Sequence, residues 1–472
     1  MGIFLCLRSK HNPTCGKNKK EERFILMKKF LSLALAVLML AVMLPVTAMA
    51  EENYVMISGI KGVENEKYAS FEAAYNAIKP KLEALCESDA LGQGATTAEK
   101  FDALFFNRDE NGNATLTYTI SGNITYDELT LNNLLTFGRR ASHYGNDRHL
   151  LNFKFIGAAG RDSDTLTVNS DITLPYEWWG EKTTTSISFE NLTITGSAPN
   201  GLRPTQDYFE GINFKVNNCK LKGIKIYNCS NVGGSYTITN NIFDGTNAPQ
   251  NAYAIHLQGN ETAPLTINIS NNTISGYDRG INIDQKTAAA TISNNNISVK
   301  DAGRSCIQLT QLASTKVENN TMKLTGGNAI TLHEELLKCA KPKITVSGNT
   351  INGTGYLIYD DATANNKSFT NDNLTLTITE DNTVAKTVDI TQGVKGSTKY
   401  GMSEIVKTKV ENNVVPGGST GGTIVIVPDR TEDTPKTEPE KNPTTGANDV
   451  VAAAVALMAV SALGAAVLTR KK

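Results

Sequence analysis

The amino-acid sequence predicts an all-β fold in which parallel strands coil into a solenoid, and two repeated features predict it. The first is a turn: six times, a β-rich segment runs into a small-residue turn containing Asn and then into an aliphatic residue. Neighbouring turns are 23 to 31 residues apart. A repeat of this length cannot bury its own apolar face, so the units must stack. The turn residues are Asn218, Asn241, Asn272, Asn295, Asn320 and Asn349.

The second feature is an aliphatic-x-aliphatic triplet that follows five of these turns. Because side chains alternate between the two faces of a strand, the outer residues form an apolar face and the middle residue points the other way. Two such strands per repeat predict a coil whose equivalent strands pair at about 4.8 Å. The triplets are Ile255-His256-Leu257, Ile281-Asn282-Ile283, Ile307-Gln308-Leu309, Ile330-Thr331-Leu332 and, less cleanly, Leu357-Ile358-Tyr359.

The turn Asn residues have a physical role at each bend. An Asn amide hydrogen-bonds nearby backbone and tolerates the left-handed conformation, so stacked turns would form an amide ladder. The alternative is six unrelated Asn-rich loops. Turns and triplets together resemble the right-handed parallel β-helix repeat family, the pectate-lyase-like group, over residues 212–360. Irregular coils before this stretch and closing coils after it, including residues 410–414, extend the predicted β-helix to 121–415.

The open ends of such a solenoid need covers, because unpaired edges would pair with further strands. Helical spacing begins at Phe71, with Ser70 as the N-cap and Pro80 expected to kink or split the helix. Thr96 and Glu99 form the capping-box pattern of a second short helix. Residues 51–120 are therefore predicted to be an N-terminal cap, or else a separate small domain.

The amino-terminal end carries an export pattern. A cationic start at Met27, an apolar run and a small-x-small cleavage site ending at Ala50 predict a secretory signal peptide over residues 27–50. Residues 1–26 precede this complete signal and have no packing pattern, which indicates an over-called start codon. The mature protein is therefore expected to be secreted.

The carboxyl-terminal end carries an anchor pattern over residues 442–472. An apolar run at 450–468 is long enough to span a bilayer as a hydrophobic helix, and a basic tail follows it. Motif, span and tail resemble a sortase sorting signal of Gram-positive bacteria, which implies cleavage by a transpeptidase after Thr445 and attachment to cell-wall peptidoglycan. Asn442 stands where Leu is commonest in that family. The motif residues are Asn442, Pro443, Thr444, Thr445 and Gly446.

An uncut membrane anchor is the alternative interpretation of this end; in both cases the domain faces outward. Residues 416–441 are Gly-rich and then rich in Pro, Thr and Glu, and such a segment cannot bury enough surface to fold. It is predicted to be an extended stalk that holds the solenoid away from the surface.

Charge and cysteine content narrow the classes of partner. Residues 51–445 contain 35 Lys and Arg against 44 Asp and Glu, a net charge of −9. This argues against nucleic acid or an anionic membrane surface and is compatible with neutral glycans, cationic partners or bound calcium. Five Cys lie in this stretch without metal-binding spacing, so no metal site or disulfide framework is indicated, although a Cys219–Cys229 bridge is geometrically possible.

The middle residues of the triplets form the first candidate site. They can all hydrogen-bond, and such a strip could lie along the hydroxyls of a sugar chain. The alternative is that outward strand positions are polar because they face water. The residues are His256, Asn282, Gln308 and Thr331. The adjacent Trp178 and Trp179 could add a ring for a sugar, although packing beneath a loop is the alternative.

A more reactive set follows the last triplets. If Leu332 aligns with Tyr359, then His333 neighbours Asp360, and Glu334 neighbours Asp361. Carboxylates beside a His could serve acid–base catalysis or hold calcium; the alternative is a solvated acidic turn. The segment around Glu334 also has the pattern of a brief helical insertion.

The enzymes of the resembling group carry clustered Asp residues with a basic residue, or a Gly-His-Gly segment. No Gly-His-Gly occurs here, and Arg279 and Arg304, which precede successive triplets, are weak signals alone. The sequence therefore favours a surface-displayed adhesin or glycan-binding module without catalysis. The alternatives are a wall-anchored polysaccharide lyase or glycoside hydrolase, and an inert structural spacer.

Overall fold

Parallel strands dominate the computed structural model. It describes residues 53–86, 102–106, 108–109, 113–126, 151–170, 172–174, 184–198, 201–205, 211–229, 233–259 and 264–417. All of them belong to one compact unit, Met1–Gly421. The strands form three parallel ladders and two short antiparallel additions.

The first ladder is a 12-stranded sheet, in which β3 and the strands that follow it are parallel and β1 and β2 add antiparallel at its amino-terminal edge. Its strands are β1 (Tyr54–Ser58), β2 (Lys67–Tyr68), β3 (Ala114–Ser121), β5 (Leu151–Gly157), β8 (Thr184–Glu190), β11 (Gly211–Asn217), β14 (Gly233–Thr239), β17 (Leu265–Ser270), β20 (Ala288–Ser293), β23 (Ser314–Glu318), β25 (Lys343–Ser347) and β27 (Thr375–Ile378).

The second and third ladders belong to one 17-stranded sheet, because the long strands β24 and β26 run through both. The second ladder contains β4 (Asn123–Thr125), β6 (Thr165–Thr167), β9 (Thr193–Thr195), β12 (Lys220–Lys222), β15 (Ile242–Asp244), β18 (Thr273–Ser275), β21 (Asn296–Ser298), β24 (Thr321–Leu332), β26 (Thr350–Asp360) and β28 (Thr383–Val384).

The third ladder carries the aliphatic triplets. Besides β24 and β26, it contains β7 (Ile172–Leu174), β10 (Leu202–Thr205), β13 (Ile226–Cys229), β16 (Tyr253–Gln258), β19 (Arg279–Asp284), β22 (Ser305–Gln311) and β29 (Val388–Asp389). Each regular coil thus has three strands where the sequence predicted two. The strand that was missed is only three residues long and follows the Asn turn directly, so its alternation is too short to recognise as a separate element.

The interior is filled by side chains stacked coil on coil. In the first ladder, Tyr118, Phe155 and Phe189 are in register, and the last two rings stack 4.9 Å apart. Aliphatic residues continue this position in the later coils. Burial of these side chains is the main stabilising term of a solenoid whose units have no core of their own.

A buried amide ladder runs along the turn between the first and second ladders. From Asn272 onward, each Asn side-chain oxygen accepts both the backbone N–H and the side-chain N–H of the Asn one coil earlier, at 2.9–3.0 Å. Each side-chain nitrogen also donates to a backbone carbonyl. The ladder residues are Asn241, Asn272, Asn295, Asn320, Asn349 and Asn382.

Asn218 was wrongly placed in this ladder, and Asn382 was missed. The buried position in that coil is held by Cys219, whose N–H donates to the side chain of Asn241. Asn218 instead has φ 53° and belongs to the outer position beside the ladder, where Asn240 and Asn271 are also left-handed. In most of these turns two Asn residues are adjacent, so either one could occupy the buried position. The sequence pattern alone does not show which of the two does so.

The amino-terminal cap packs on β1. Helix α1 (Phe71–Cys86) begins after Ser70, whose hydroxyl accepts from the backbone N–H of Ala73. The helix continues through Pro80, so the expected break does not occur. Its residues Phe71, Ala74 and Ile78 are fully buried and join the core, as their helical spacing predicts. The predicted second helix, from Thr96, lies largely outside the described residues.

The carboxyl-terminal end closes with helices and a hairpin. The predicted insertion is a 3-10 helix, Glu334–Lys338, which confirms that expectation. Helix α2 (Asp361–Ala364) follows β26, and hairpin β30 (Gly393–Lys395) and β31 (Thr398–Tyr400) precedes helix α3 (Glu404–Asn413). Residues 410–414 were predicted to be a closing β-coil, which is wrong: α3 buries Val406 and Val410 and contacts β27.

Among the described residues, no helix is both long and apolar enough to cross a membrane. The predicted signal peptide at 27–50, the stalk beyond residue 417, the motif Asn442–Gly446 and the span 450–468 lie outside the described residues, as do Trp178 and Trp179.

Candidate functional site

The outward side chains of the third ladder form one continuous file, called here the polar file. The four residues predicted to align do so through direct strand pairing. Pairing of neighbouring strands extends the file at both ends. Its members are Arg203, Tyr227, His256, Asn282, Gln308, Thr331 and Tyr359.

The centre of the polar file is covered. Asn282 and Thr331 are only 3% and 4% exposed, so they do not simply face water. Asn282 accepts a hydrogen bond of 2.8 Å from the Thr310 hydroxyl, and Thr331 shares one of 2.5 Å with the Ser305 hydroxyl. These polar groups are therefore held in fixed orientations by their partners within the protein.

One end of the file is aromatic and cationic. The ring of His256 lies 5.3 Å from that of Tyr227 and 4.8 Å from that of Tyr253. The Arg279 guanidinium lies 4.9 Å from the Tyr253 ring centre, and Lys225 approaches the Tyr227 ring. Burial, together with these two cations, lowers the pKa of His256 to about 4. His256 is therefore neutral at physiological pH and presents a ring surface rather than a charge.

Asp360 does not belong to this face. The sequence pattern predicted that Leu332 aligns with Tyr359, which is wrong. Strand pairing aligns Thr331 with Tyr359 and Leu332 with Asp360. A slip of one residue reverses the faces of a strand. Tyr359 therefore joins the polar file, and Asp360 takes the inward position, where it is fully buried.

The buried Asp360 carboxylate organises the end of the solenoid. It caps α2 by accepting from the N–H groups of Ala362 and Thr363, and it also accepts from the N–H and hydroxyl of Ser403. Burial raises the pKa of Asp360, although the hydrogen bonds from Ser403 oppose that shift. Its contacts are those of a structural cap.

Asp361, which is almost fully buried, and the partly exposed His333 meet in its place. Nε2 of His333 lies 3.4 Å from Oδ2 of Asp361. Nδ1 of His333 accepts from the backbone N–H of Glu335, so in the neutral ring Nε2 carries the proton and faces the carboxylate. The other oxygen of Asp361 accepts from the Tyr359 hydroxyl at 2.7 Å and pairs with the Lys395 ammonium at 2.9 Å.

These contacts set the protonation of the cluster. Burial opposes ionisation of Asp361, but the Tyr359 hydroxyl, Lys395 and His333 outweigh it and hold the pKa of Asp361 below its ordinary value. Burial and the bond to Asp361 raise the pKa of Tyr359. Asp361 is thus an ionised carboxylate at neutral pH, held by contacts with Lys395, Tyr359 and His333.

Two of the remaining acidic residues form ion pairs with nearby lysines. Glu334 pairs with Lys367 at 2.7 Å, and Glu335 pairs with Lys338 at 2.5 Å. Asp284 is near enough to His333 to interact electrostatically, but burial raises its pKa. Within the described ranges, no three His, Cys, Asp or Glu side chains come together in a way that could hold a metal ion.

A cavity of about 170 Å³, called here the end cavity, lies over the last coils of the polar file. The hairpin β30–β31 forms one wall: the Asn328 amide exchanges two hydrogen bonds with the backbone of Val394, at 2.7 and 2.9 Å. This hairpin was not predicted from the sequence. The lining residues are Tyr253, Arg279, Gly303, Arg304, Ser305, Gln308, Asn328, Thr331, His333, Tyr359, Asp361, Val394 and Lys395.

A larger groove of about 750 Å³ lies on the first ladder, around Asn268 and Thr291. It is lined by small polar side chains, Ile267 and two lysines, and contains no aromatic ring and no carboxylate. Of these two depressions, only the end cavity brings rings and titratable groups together.

The described cysteines take no part in this face. Cys219 and Cys306 are free thiols, so no Cys219–Cys229 bridge is formed. Burial raises the pKa of Cys219 and of Cys306 to about 12, which leaves both unreactive.

A comparison with known families supports the coil geometry. Residues 222–415 match the model of a family described as right handed beta helix region. The fold is a right-handed parallel β-helix. This match contains six of the seven residues of the polar file and the whole end cavity. No curated protein and no solved structure matches the chain significantly.

Proposed function

We propose that this β-helix is a glycan-binding module displayed on a bacterial surface, and that the third ladder carries its binding face. The observation that carries the proposal is the continuity of the polar file. The Tyr227 ring lies near one end, oriented amides and hydroxyls lie in the middle, and the end cavity, which Tyr253 also lines, lies over the last coils. A glycan-binding face needs both aromatic rings and oriented polar groups, because sugars stack on the rings and hydrogen-bond with the polar groups.

The two chain ends support the display part of the proposal. The export pattern at 27–50, the stalk at 416–441 and the motif Asn442–Gly446 form the order expected of a wall-attached protein. A sortase would join Thr445 to peptidoglycan, and the membrane would hold the segment 450–468 until that step. The β-helix would then reach outward to a host or neighbouring-cell glycan. A Gram-positive cell wall, or the outer face of its membrane, is the proposed location.

The decisive experiment is a glycan-array measurement on the full chain, in a detergent without a sugar headgroup, with and without calcium. Tyr227→Ala should weaken binding about tenfold, because stacking on this ring is lost. Tyr54→Ala is the matched control: Tyr54 is also a half-buried ring with a lysine near its face, but it lies in the cap. Absence of glycan binding, or equal loss in both variants, would refute the proposal.

A second candidate is a polysaccharide lyase or hydrolase, favoured by the pair His333 and Asp361. A protonated Nε2 held against an ionised carboxylate beside Lys395 is an arrangement that can move a proton to or from a bound sugar. Reducing-end and unsaturated-product assays on pectins and glycosaminoglycans test it. Turnover that disappears in His333→Gln would replace the binding proposal with catalysis.

A further inference from the structure

The end cavity is closed along the direction of the polar file. A Cβ built on Gly393 would lie 2.4 Å from the Cα of Tyr359, so the hairpin lies directly on the last residue of the file. At the hairpin tip, the carbonyl oxygen of Gly396 would lie 2.8 Å from a Cβ built on Gly303, on the opposite wall. A saccharide chain that follows the file from Tyr227 therefore reaches a wall after Thr331.

The volume of the cavity fits a single sugar unit. At ~30 Å³ for each water displaced, 170 Å³ corresponds to roughly six waters, about the volume of one substituted sugar ring. The groups that converge on this space are the hydroxyl of Ser305 and the amide of Gln308 on its floor, with Lys395 on its wall. Donors outnumber acceptors among them.

The charge of the cavity is positive, in a protein that is acidic after processing. Lys395 is matched by Asp361 at 2.9 Å, and Arg304 is matched by Asp301 at 3.3 Å. Arg279 has no carboxylate partner among the described residues: it donates to the Tyr253 hydroxyl, and its Nε is buried without an acceptor. A guanidinium that lines a cavity without a carboxylate partner keeps its full charge available to a planar or tetrahedral anion.

We propose that the end cavity binds the terminal unit of a saccharide chain, that this unit carries an anionic group, and that Arg279 receives the anion. The inference rests on the proposed function and adds to it the class of sugar and the part of the chain that is recognised. Tyr253 holds the guanidinium in position from one side, and the hairpin prevents the chain from continuing past the bound unit.

The test is calorimetric titration of the full chain, in the same detergent, with galacturonic acid and with N-acetylneuraminic acid. The methyl ester of each acid is the matched probe, because it keeps the ring and removes the charge. We expect at least one acid to bind about tenfold more tightly than its ester. Arg279→Gln should abolish that difference, whereas Lys323→Gln, which removes a positive charge from an exposed position on the second ladder, should preserve it.

Chain-end recognition is tested with the polymer of whichever acid binds, polygalacturonate or polysialic acid. At equal concentration of sugar units, the polymer should compete about tenfold less than the monomer, since only its ends enter the cavity. Equal competition would overturn the end-pocket assignment, and equal binding of acid and ester, or of neither, would overturn the role of Arg279. If long glycans still bind in a Tyr227-dependent way, this inference fails while the proposed function stands.

Discussion

The side-chain oxygen of Asn320 accepts two hydrogen bonds from Asn295, one from its backbone N–H at 3.0 Å and one from its side-chain N–H at 2.9 Å. Asn295 in turn accepts the same pair from Asn272. Each amide thus satisfies groups of two neighbouring coils, and every bond in the series is buried. A ladder of this kind fixes the turn and the coil spacing together, because a buried polar group without a partner is costly.

Asn295→Ala should therefore destabilise the protein by about 3 kcal/mol. The substitution leaves the two N–H groups of Asn272 and the carbonyl of Ile269 without their buried partner. Asn294→Gly is the matched control, since Asn294 is exposed with φ 56° and glycine adopts that conformation freely. Urea unfolding measures both, and equal stability of the two variants would show that the ladder contributes little.

Substitutions of the adjacent residues Asp360 and Asp361 should affect different properties, the first the stability of the fold and the second ligand binding. Asp360→Ala removes the acceptor of four hydrogen bonds, three of them buried, and should lower the free energy of unfolding by about 2 kcal/mol or more. Asp361→Asn should keep the fold and change ligand binding at the end cavity. Thermal unfolding and the sugar titration measure the two effects. A binding defect confined to Asp360→Ala would contradict the observed register.

The sequence predicted the coil but not the details that make the candidate site. Regular triplets such as Ile281-Asn282-Ile283 predicted the third ladder, because alternation is visible within three residues. The last triplet was ambiguous: both Leu357-Ile358-Tyr359 and Ile358-Tyr359-Asp360 begin with aliphatic residues, and only strand pairing chooses the second. The hairpin at 393–400 has no repeat pattern, and its partner Asn328 is 66 residues from Val394.

The stability of the protein should depend on pH through His256. Its pKa is about 4 in the folded protein and near 6.5 in the unfolded chain, so the unfolded state binds more protons between these values. The contribution of the neutral His256 to the free energy of unfolding should be fully present above about pH 6.5. It should decrease as the pH falls towards 4, by on the order of 2 kcal/mol. His256→Gln removes this titration. Urea unfolding at pH 7 and pH 5 should show a smaller loss in the variant, and parallel losses would contradict the burial of a neutral ring.

The hairpin should detach from the solenoid when Asn328 is changed. Asn328→Ala removes both hydrogen bonds to the backbone of Val394, and leaves the Lys395 pair with Asp361 and packing against β24 and β26 to hold β30. Hydrogen exchange at the Val394 amide should accelerate by about tenfold or more, because the amide loses its buried acceptor.

Asn352→Ala is the control for this change, since Asn352 is exposed on the second ladder, one coil after Asn328, and does not line the cavity. Exchange at Val394 should be unchanged in that variant. If the hairpin forms the wall of the end cavity, Asn328→Ala should also allow a polymer to compete as well as its monomer, because the chain is no longer stopped after Thr331. Unchanged protection at Val394 in Asn328→Ala would mean that the hairpin is held by contacts other than this amide.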